Sequence, residues 1–293
     1  MKLLRIELQS FETVVRIAGS GPSVVYVHGG FAALARTLYD PNEYEWTWEW
    51  QLAAHCQMLT YDRRGCRQAS LPRSGVFDLE AQSSDLEAVL DAVGLGNAHI
   101  IGSSAGGPIA ILFAATRPKK ARSLILQGTG LTLFPDDEVS NEIRSQLEVL
   151  HTRGADAAFS RRPAGVEAWY ESLWRRRDAE EAGTLDEHLA QERRLAERAQ
   201  QVPREFRIQY HAAELKNMGA YMTGDIARYA ERVTVPTLVL HGEHDRVVSV
   251  ASGVELARTI PGANLEVIPG GHHGLLFEND RARELALDFI GRQ

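Results

Sequence analysis

Residues 98–116 read AHIIGSSAGGPIAILFAAT, and this stretch decides the fold. Residues 98–102 form a short apolar run that predicts a strand. Residues 106–116 carry apolar side chains on nearly every face, which predicts a buried helix. Pro108 fits that helix because first-turn N–H groups have no intrahelical partner. Between the two lies Gly102-Ser103-Ser104-Ala105-Gly106, a G-x-S-x-G pattern in a strand-to-helix context. A serine at its centre occupies a tight turn that lifts the hydroxyl above the strand end, and small neighbours avoid collision there. The plain alternative is an ordinary glycine-rich turn. The flanking strand and buried helix favour a nucleophile at Ser104 instead. Ser103 competes for the role but lacks the glycine frame.

Outward from this stretch, the same rhythm repeats. Short apolar, β-branched runs at 11–18, 23–28, 58–62, 123–127, 237–241 and 265–268 predict strands. Residues 78–93 predict an amphipathic helix, with Leu86, Val89, Leu90 and Val93 on one face. Ala282, Leu285, Ala286 and Phe289 mark another near the end. Strands alternating with helices predict an α/β fold with a mostly parallel central sheet and helices on both faces. Residues 131–233 break the rhythm: Arg and Glu abound and strand signals fade. So long a segment is no simple loop, and it is expected to be a helical cap inserted into a core made of 1–130 and 234–293.

A serine hydroxyl attacks a carbonyl only when a base takes its proton and a carboxylate orients that base. His241-Gly242-Glu243-His244-Asp245 follows a predicted strand, and Asp245 is the expected carboxylate, with Glu243 as competitor. Pro269-Gly270-Gly271-His272-His273 follows the last strand, and either His272 or His273 is the expected base. The chain order Ser, Asp, His suits the elbow at Ser104. His28-Gly29-Gly30 follows an early strand, and the backbone N–H groups of Gly30 and Ala105 are expected to face a developing oxyanion. Each such donor contributes roughly 2.7–4 kcal/mol to the transition state. The His28 side chain itself is expected to be structural. A metal held by His241, His244, Asp245, His272 and His273 would account for the same positions, but the triad already does so, and no metal or cofactor is expected. Phe31, Tyr39 and Tyr44, with Trp46, Trp48 and Trp50 nearby, are candidates to line a substrate pocket or simply to pack their loop on the core.

The 293 residues, 44% of them hydrophobic, suffice for a sizeable core. A net charge of −7 without a basic run argues against nucleic acid as a partner. Cys56 and Cys66 are too few for a disulfide framework, which suits a cytoplasmic location. Arg5 and Glu7 interrupt any leader-like apolar start, and no apolar run reaches the roughly 18 residues of a membrane span. The expected partner is a small-molecule substrate, and a homo-oligomer is compatible with the sequence.

Together, HGG at 28–30, YDRRG at 61–65, GSSAGG at 102–107, PTLVLHGEHD at 236–245 and IPGGHHGLLFE at 268–278 resemble the α/β-hydrolase superfamily. The resemblance covers nearly all the chain outside 131–233. It points to the branch of esterases, proline iminopeptidases and C–C bond hydrolases, and a serine nucleophile sets it apart from similar enzymes that use aspartate. Two departures matter. Arg67 stands where a second glycine is usual after Gly65, and Phe31-Ala32 follow His28-Gly29-Gly30 where iminopeptidases usually continue with Pro-Gly. In the family's spacing the base falls on His273, 28 residues after Asp245 and five before Glu278, although the glycine usual before the base precedes His272. The resemblance implies a cofactor-independent serine hydrolase of small carboxylic esters or lactones, working through an acyl-enzyme with Ser104, His273 and Asp245. An amide-cleaving aminopeptidase, a C–C bond hydrolase, and a ligand-binding protein without turnover are the alternatives.

Overall fold

Alternate residues of each central strand face opposite sides of one sheet, and both sides are apolar. In the computed structural model, which describes residues 1–31, 51–134, 138–162, 179–180 and 183–293, the strands are β1 (Lys2–Glu7), β2 (Glu12–Ala18), β3 (Ser23–Val27), β4 (Gln57–Tyr61), β5 (Ala98–Ser103), β6 (Ala121–Gln127), β7 (Thr237–Gly242) and β8 (Asn264–Ile268). They form one sheet in the order β1-β2-β4-β3-β5-β6-β7-β8. β2 pairs antiparallel with β1 and β4, and every other pairing is parallel. The alternation sorts the core. Val25, Val27, Ile100, Leu124 and Leu126 belong to one buried cluster; Val24, Tyr26, Ile101, Ile125 and Leu238 belong to the other.

The helices are α1 (Leu79–Ala92), α2 (Gly106–Thr116), α3 (Glu138–Arg153), α4 (Ala155–Ser160), α5 (Leu185–Ala199), α6 (Arg204–Thr223), α7 (Ala227–Ala230), α8 (Val250–Thr259), α9 (Leu275–Glu278) and α10 (Asp280–Gly291). α1 and α2 cover the first cluster through Leu86, Val89, Leu90, Ile109 and Phe113. α9 and α10 cover the second through Leu275, Leu276, Ala286 and Phe289. Asp78 caps α1 by accepting the Ala81 N–H at 2.7 Å, and Asn279 caps α10 by accepting the Ala282 N–H at 3.0 Å.

Two findings differ from the sequence expectation. β1 was unforeseen: its residues are exposed or half-buried, as suits a sheet edge, and Arg5 pairs with Glu12 of β2 at 2.8 Å. Between β6 and β7 the described residues form helices and no strand, yet some of them are less separate from the core than their composition suggests. Ile143 of α3 and Leu215 and Met218 of α6 are fully buried in the first cluster. α6 is buried on several faces, and its polar His211, Glu214 and Asn217 are buried along with its apolar residues. No helix among the described residues is long and apolar enough to cross a membrane.

The approach of α2 to β5 is limiting. A Cβ on Gly102 would lie 2.7 Å from the Ala110 Cβ and 2.9 Å from the Gly107 Cα. Gly102→Ala is therefore expected to destabilise the protein by about 1–3 kcal/mol through overpacking. A midpoint in chemical denaturation equal to that of the unsubstituted chain would contradict this.

Candidate active site

Because the strands from β4 to β8 run parallel, the loops after β4, β3, β5, β6, β7 and β8 all emerge at one edge of the sheet. That edge is where ligands bind in open α/β sheets. Ser104 leaves β5 there with φ +48°, a left-handed backbone that costs a non-glycine residue about 1–2 kcal/mol. Its surroundings hold it in place. The Ser104 N–H donates to the Gln127 carbonyl at 2.9 Å, and its own carbonyl accepts from the Gly107 N–H at 2.9 Å and the Thr129 hydroxyl at 2.8 Å. The HGG loop passes close by: a Cβ on Gly29 would lie 2.9 Å from the Ser104 Cβ. Ser104 is half-buried.

Asp245 follows β7 and is buried. Its Oδ1 accepts the N–H groups of Val247 and Val248, each at 2.9 Å, and its Oδ2 lies 2.8 Å from His273 Nδ1. His241 Nε2 approaches the same Oδ2 at 3.4 Å while bonding the Val248 carbonyl at 2.8 Å. Burial alone would raise the Asp245 carboxyl, but hydrogen bonds from His241, His273 and the Val248 amide hold it well below the usual carboxylate range. It is thus a carboxylate aimed at an imidazole.

His273 is partly exposed and His272 is exposed; the His272 ring centroid lies 6.1 Å from that of His244. Glu243 is exposed and accepts the Gly270 N–H at 2.9 Å. Ser103 is buried and donates to Gln127 Oε1 at 3.1 Å. Gln127, in turn, donates through Nε2 to the His273 carbonyl at 2.5 Å, tying the base of the elbow to the histidine loop. Sequence reasoning missed Gln127; the signal was a lone amide directly after the apolar run Leu124-Ile125-Leu126. Among the described residues no three His, Cys, Asp or Glu side chains are grouped to hold a metal ion.

His28 is buried and structural. The Arg63 N–H donates to its Nε2 at 3.2 Å, which leaves Nδ1 to donate to the Gly29 carbonyl at 2.7 Å. Burial, with Arg67 and Arg63 nearby, lowers its pKa well below 6.5, so it stays neutral. The Gly29 carbonyl and the Gly30 N–H share one peptide plane, so His28 orients that N–H. Thr129 does the same for the Ala105 N–H by bonding the Ser104 carbonyl. Neither the Gly30 nor the Ala105 N–H has an acceptor among the described residues. Phe31 is buried against Phe134 and Tyr221, with ring centroids 5.3 and 5.1 Å apart. Tyr39 and Tyr44, with Trp46, Trp48 and Trp50, lie outside the described residues.

The sheet order and the serine turn at its centre define a fold of the α/β-hydrolase kind. A family model described as alpha/beta hydrolase fold matches residues 22–280. The chain belongs to that family and is a hydrolase of this fold. Among its relatives is the "Putative carbamate hydrolase RutD" of Pantoea ananatis, 27% identical over 300 residues and covering 100% of this chain and 93% of the relative. Two solved structures resemble it in fold. An enol-lactonase from Burkholderia xenovorans shares 21% identity at a TM-score of 0.67, covering 98% of this chain and 100% of the other. A thermophilic esterase from Thermogutta terrifontis shares 22% identity at 0.66, covering 100% and 99%.

Proposed function

We propose that the protein is a serine hydrolase that cleaves a small carboxylic ester or lactone without a cofactor. Ser104 Oγ attacks the carbonyl carbon and its proton passes to His273 Nε2. The oxyanion is held by the Gly30 and Ala105 N–H groups. Collapse expels the alkoxide, which takes the proton from His273, and leaves an acyl-enzyme. Water, deprotonated by His273, then releases the acid and restores Ser104. Asp245 keeps the His273 proton on Nδ1 and stabilises the imidazolium.

The observation that carries this reading is the left-handed Ser104 at the end of β5, set at the same sheet edge as the His273–Asp245 hydrogen bond. Residues 131–233 are assigned as the cap; in support, Tyr221 of α6 donates to the Ala105 carbonyl beside Ser104. The carbamate-hydrolase name of the relatives favours a second reading, in which the same residues cleave a carbamate and His273 protonates a leaving nitrogen.

A fluorophosphonate probe is expected to label the protein on Ser104, and Ser104→Ala is expected to escape labelling. Equal labelling of both proteins would sink the assignment. A panel of acyl esters, lactones, carbamates and aminoacyl amides, ranked by kcat/KM, then separates the two readings.

A further inference from the structure

Arg63 is among the largest fully buried side chains of the described residues. Its neighbours are paired in the ordinary way: Arg16 with Asp62 at 2.9 Å, and Arg64 with Asp85 through two bonds of 2.6 Å. Arg63 differs, since no carboxylate among the described residues pairs with it. Burying a cation is costly, and strong acceptors offset that cost. Its acceptors are the Gly30 carbonyl, the Tyr221 hydroxyl at 2.8 Å and Gln82 Oε1 at 3.2 Å.

The Tyr221 hydroxyl takes that bond and donates its own proton to the Ala105 carbonyl. Burial raises the phenol to about 12, against the opposing pull of Arg63, so it keeps the proton it donates. One continuous path therefore runs from Gly30 through Arg63 and Tyr221 to Ala105. Its two ends are the residues assigned above as oxyanion donors, which arrive from loops after different strands. α6 adds a second tie, since Asn217 Nδ2 donates to the Phe31 carbonyl at 3.1 Å and the Arg64 carbonyl at 3.2 Å.

We propose that Arg63 and Tyr221 form a buried clamp that sets the spacing of the Gly30 and Ala105 amides, positioning residues that govern turnover from α6 without touching substrate. This rests on the hydrolase reading of Ser104. Oxyanion donors work within a narrow range, about 2.7–3.1 Å from the oxygen, so small shifts of either loop weaken them. Arg63 suits the clamp because its planar fork bonds two acceptors in fixed directions, which a lysine does not.

The test is Tyr221→Phe, which removes only the hydroxyl and keeps the ring on Phe31. With p-nitrophenyl acetate, kcat is expected to fall on the order of tenfold while KM moves less than about twofold. Phenylboronic acid, whose adduct on serine mimics the oxyanion, should bind more weakly by a similar factor. Arg63→Lys carries the same expectation and serves if Tyr221→Phe shows no cooperative melting. Either folded variant retaining kcat and boronate affinity within twofold overturns the clamp, as does a rise in KM at unchanged kcat. An unsubstituted protein that neither reacts with fluorophosphonate nor turns over ester overturns the hydrolase reading, and the clamp with it.

Discussion

On the proposed serine-hydrolase reading, Ser104→Ala is expected to lose on the order of 10^6-fold in kcat while remaining folded, because a triad without its nucleophile retains only what binding and the oxyanion donors supply. The oxygen removed makes none of the described bonds that hold the turn; those use the Ser104 backbone. Alanine keeps the left-handed φ of +48° and so keeps its strain. Glycine does not, and Ser104→Gly should be more stable than Ser104→Ala by about 1 kcal/mol. Denaturant titration of the two variants measures the difference. A glycine variant no more stable than the alanine one would mean the turn stores no strain.

Asp245→Asn is expected to lower kcat by about 10^3–10^4-fold with little change in KM, through the wrong tautomer. Asparagine fits the space but has one oxygen. Facing that oxygen toward the Val247 and Val248 amides turns its NH2 toward His273 Nδ1. The imidazole proton then moves to Nε2, where it blocks the uptake of a proton from Ser104. The reverse orientation sets the NH2 against two backbone N–H groups, leaving buried donors unpaired. Acid stability provides a second readout. The Asp245 carboxyl titrates lower folded than its unfolded value of about 3.9, so the stability it contributes is complete above that value and declines as pH falls below it. The asparagine variant lacks this component, and its denaturation midpoint should fall less between pH 5 and 3. An identical fall in both proteins would remove Asp245 as the source.

What was legible in the sequence was local. Residues 98–116 carry strand, turn and helix in adjacent positions, so Ser104 could be read from its neighbours alone. Asp245 and the paired histidines each follow a recognisable strand. Which histidine meets Asp245 turns on a single residue of loop length; the family's spacing favours His273 while the preceding glycine favours His272, and three-dimensional placement puts His273 at 2.8 Å and leaves His272 exposed. β1 was hidden because an edge strand with one buried neighbour can alternate charged and apolar residues without resembling the central strands. Tyr221 and Asn217 were not legible as parts of the site. α6 mixes polar and apolar residues without a clear apolar stripe, and nothing local shows that it meets Ala105 and Phe31, which lie 116 and 186 residues away in the chain.

Those long separations also bear on how the molecule folds. Gln127 meets His273 across 146 residues, while the bond between His273 and Asp245 spans only 28. Closing the largest of these loops costs entropy before any contact returns it, and a fold rich in distant pairings is a slow one. On the ribosome, Ser104 and its elbow emerge well before the strand and loop that carry the imidazole. A nascent chain stopped after β6 would hold the serine but nothing to activate it. If Ser104 is the nucleophile proposed above, its reactivity reports completed folding, and during refolding recovery of fluorophosphonate labelling should trail the return of helical circular dichroism.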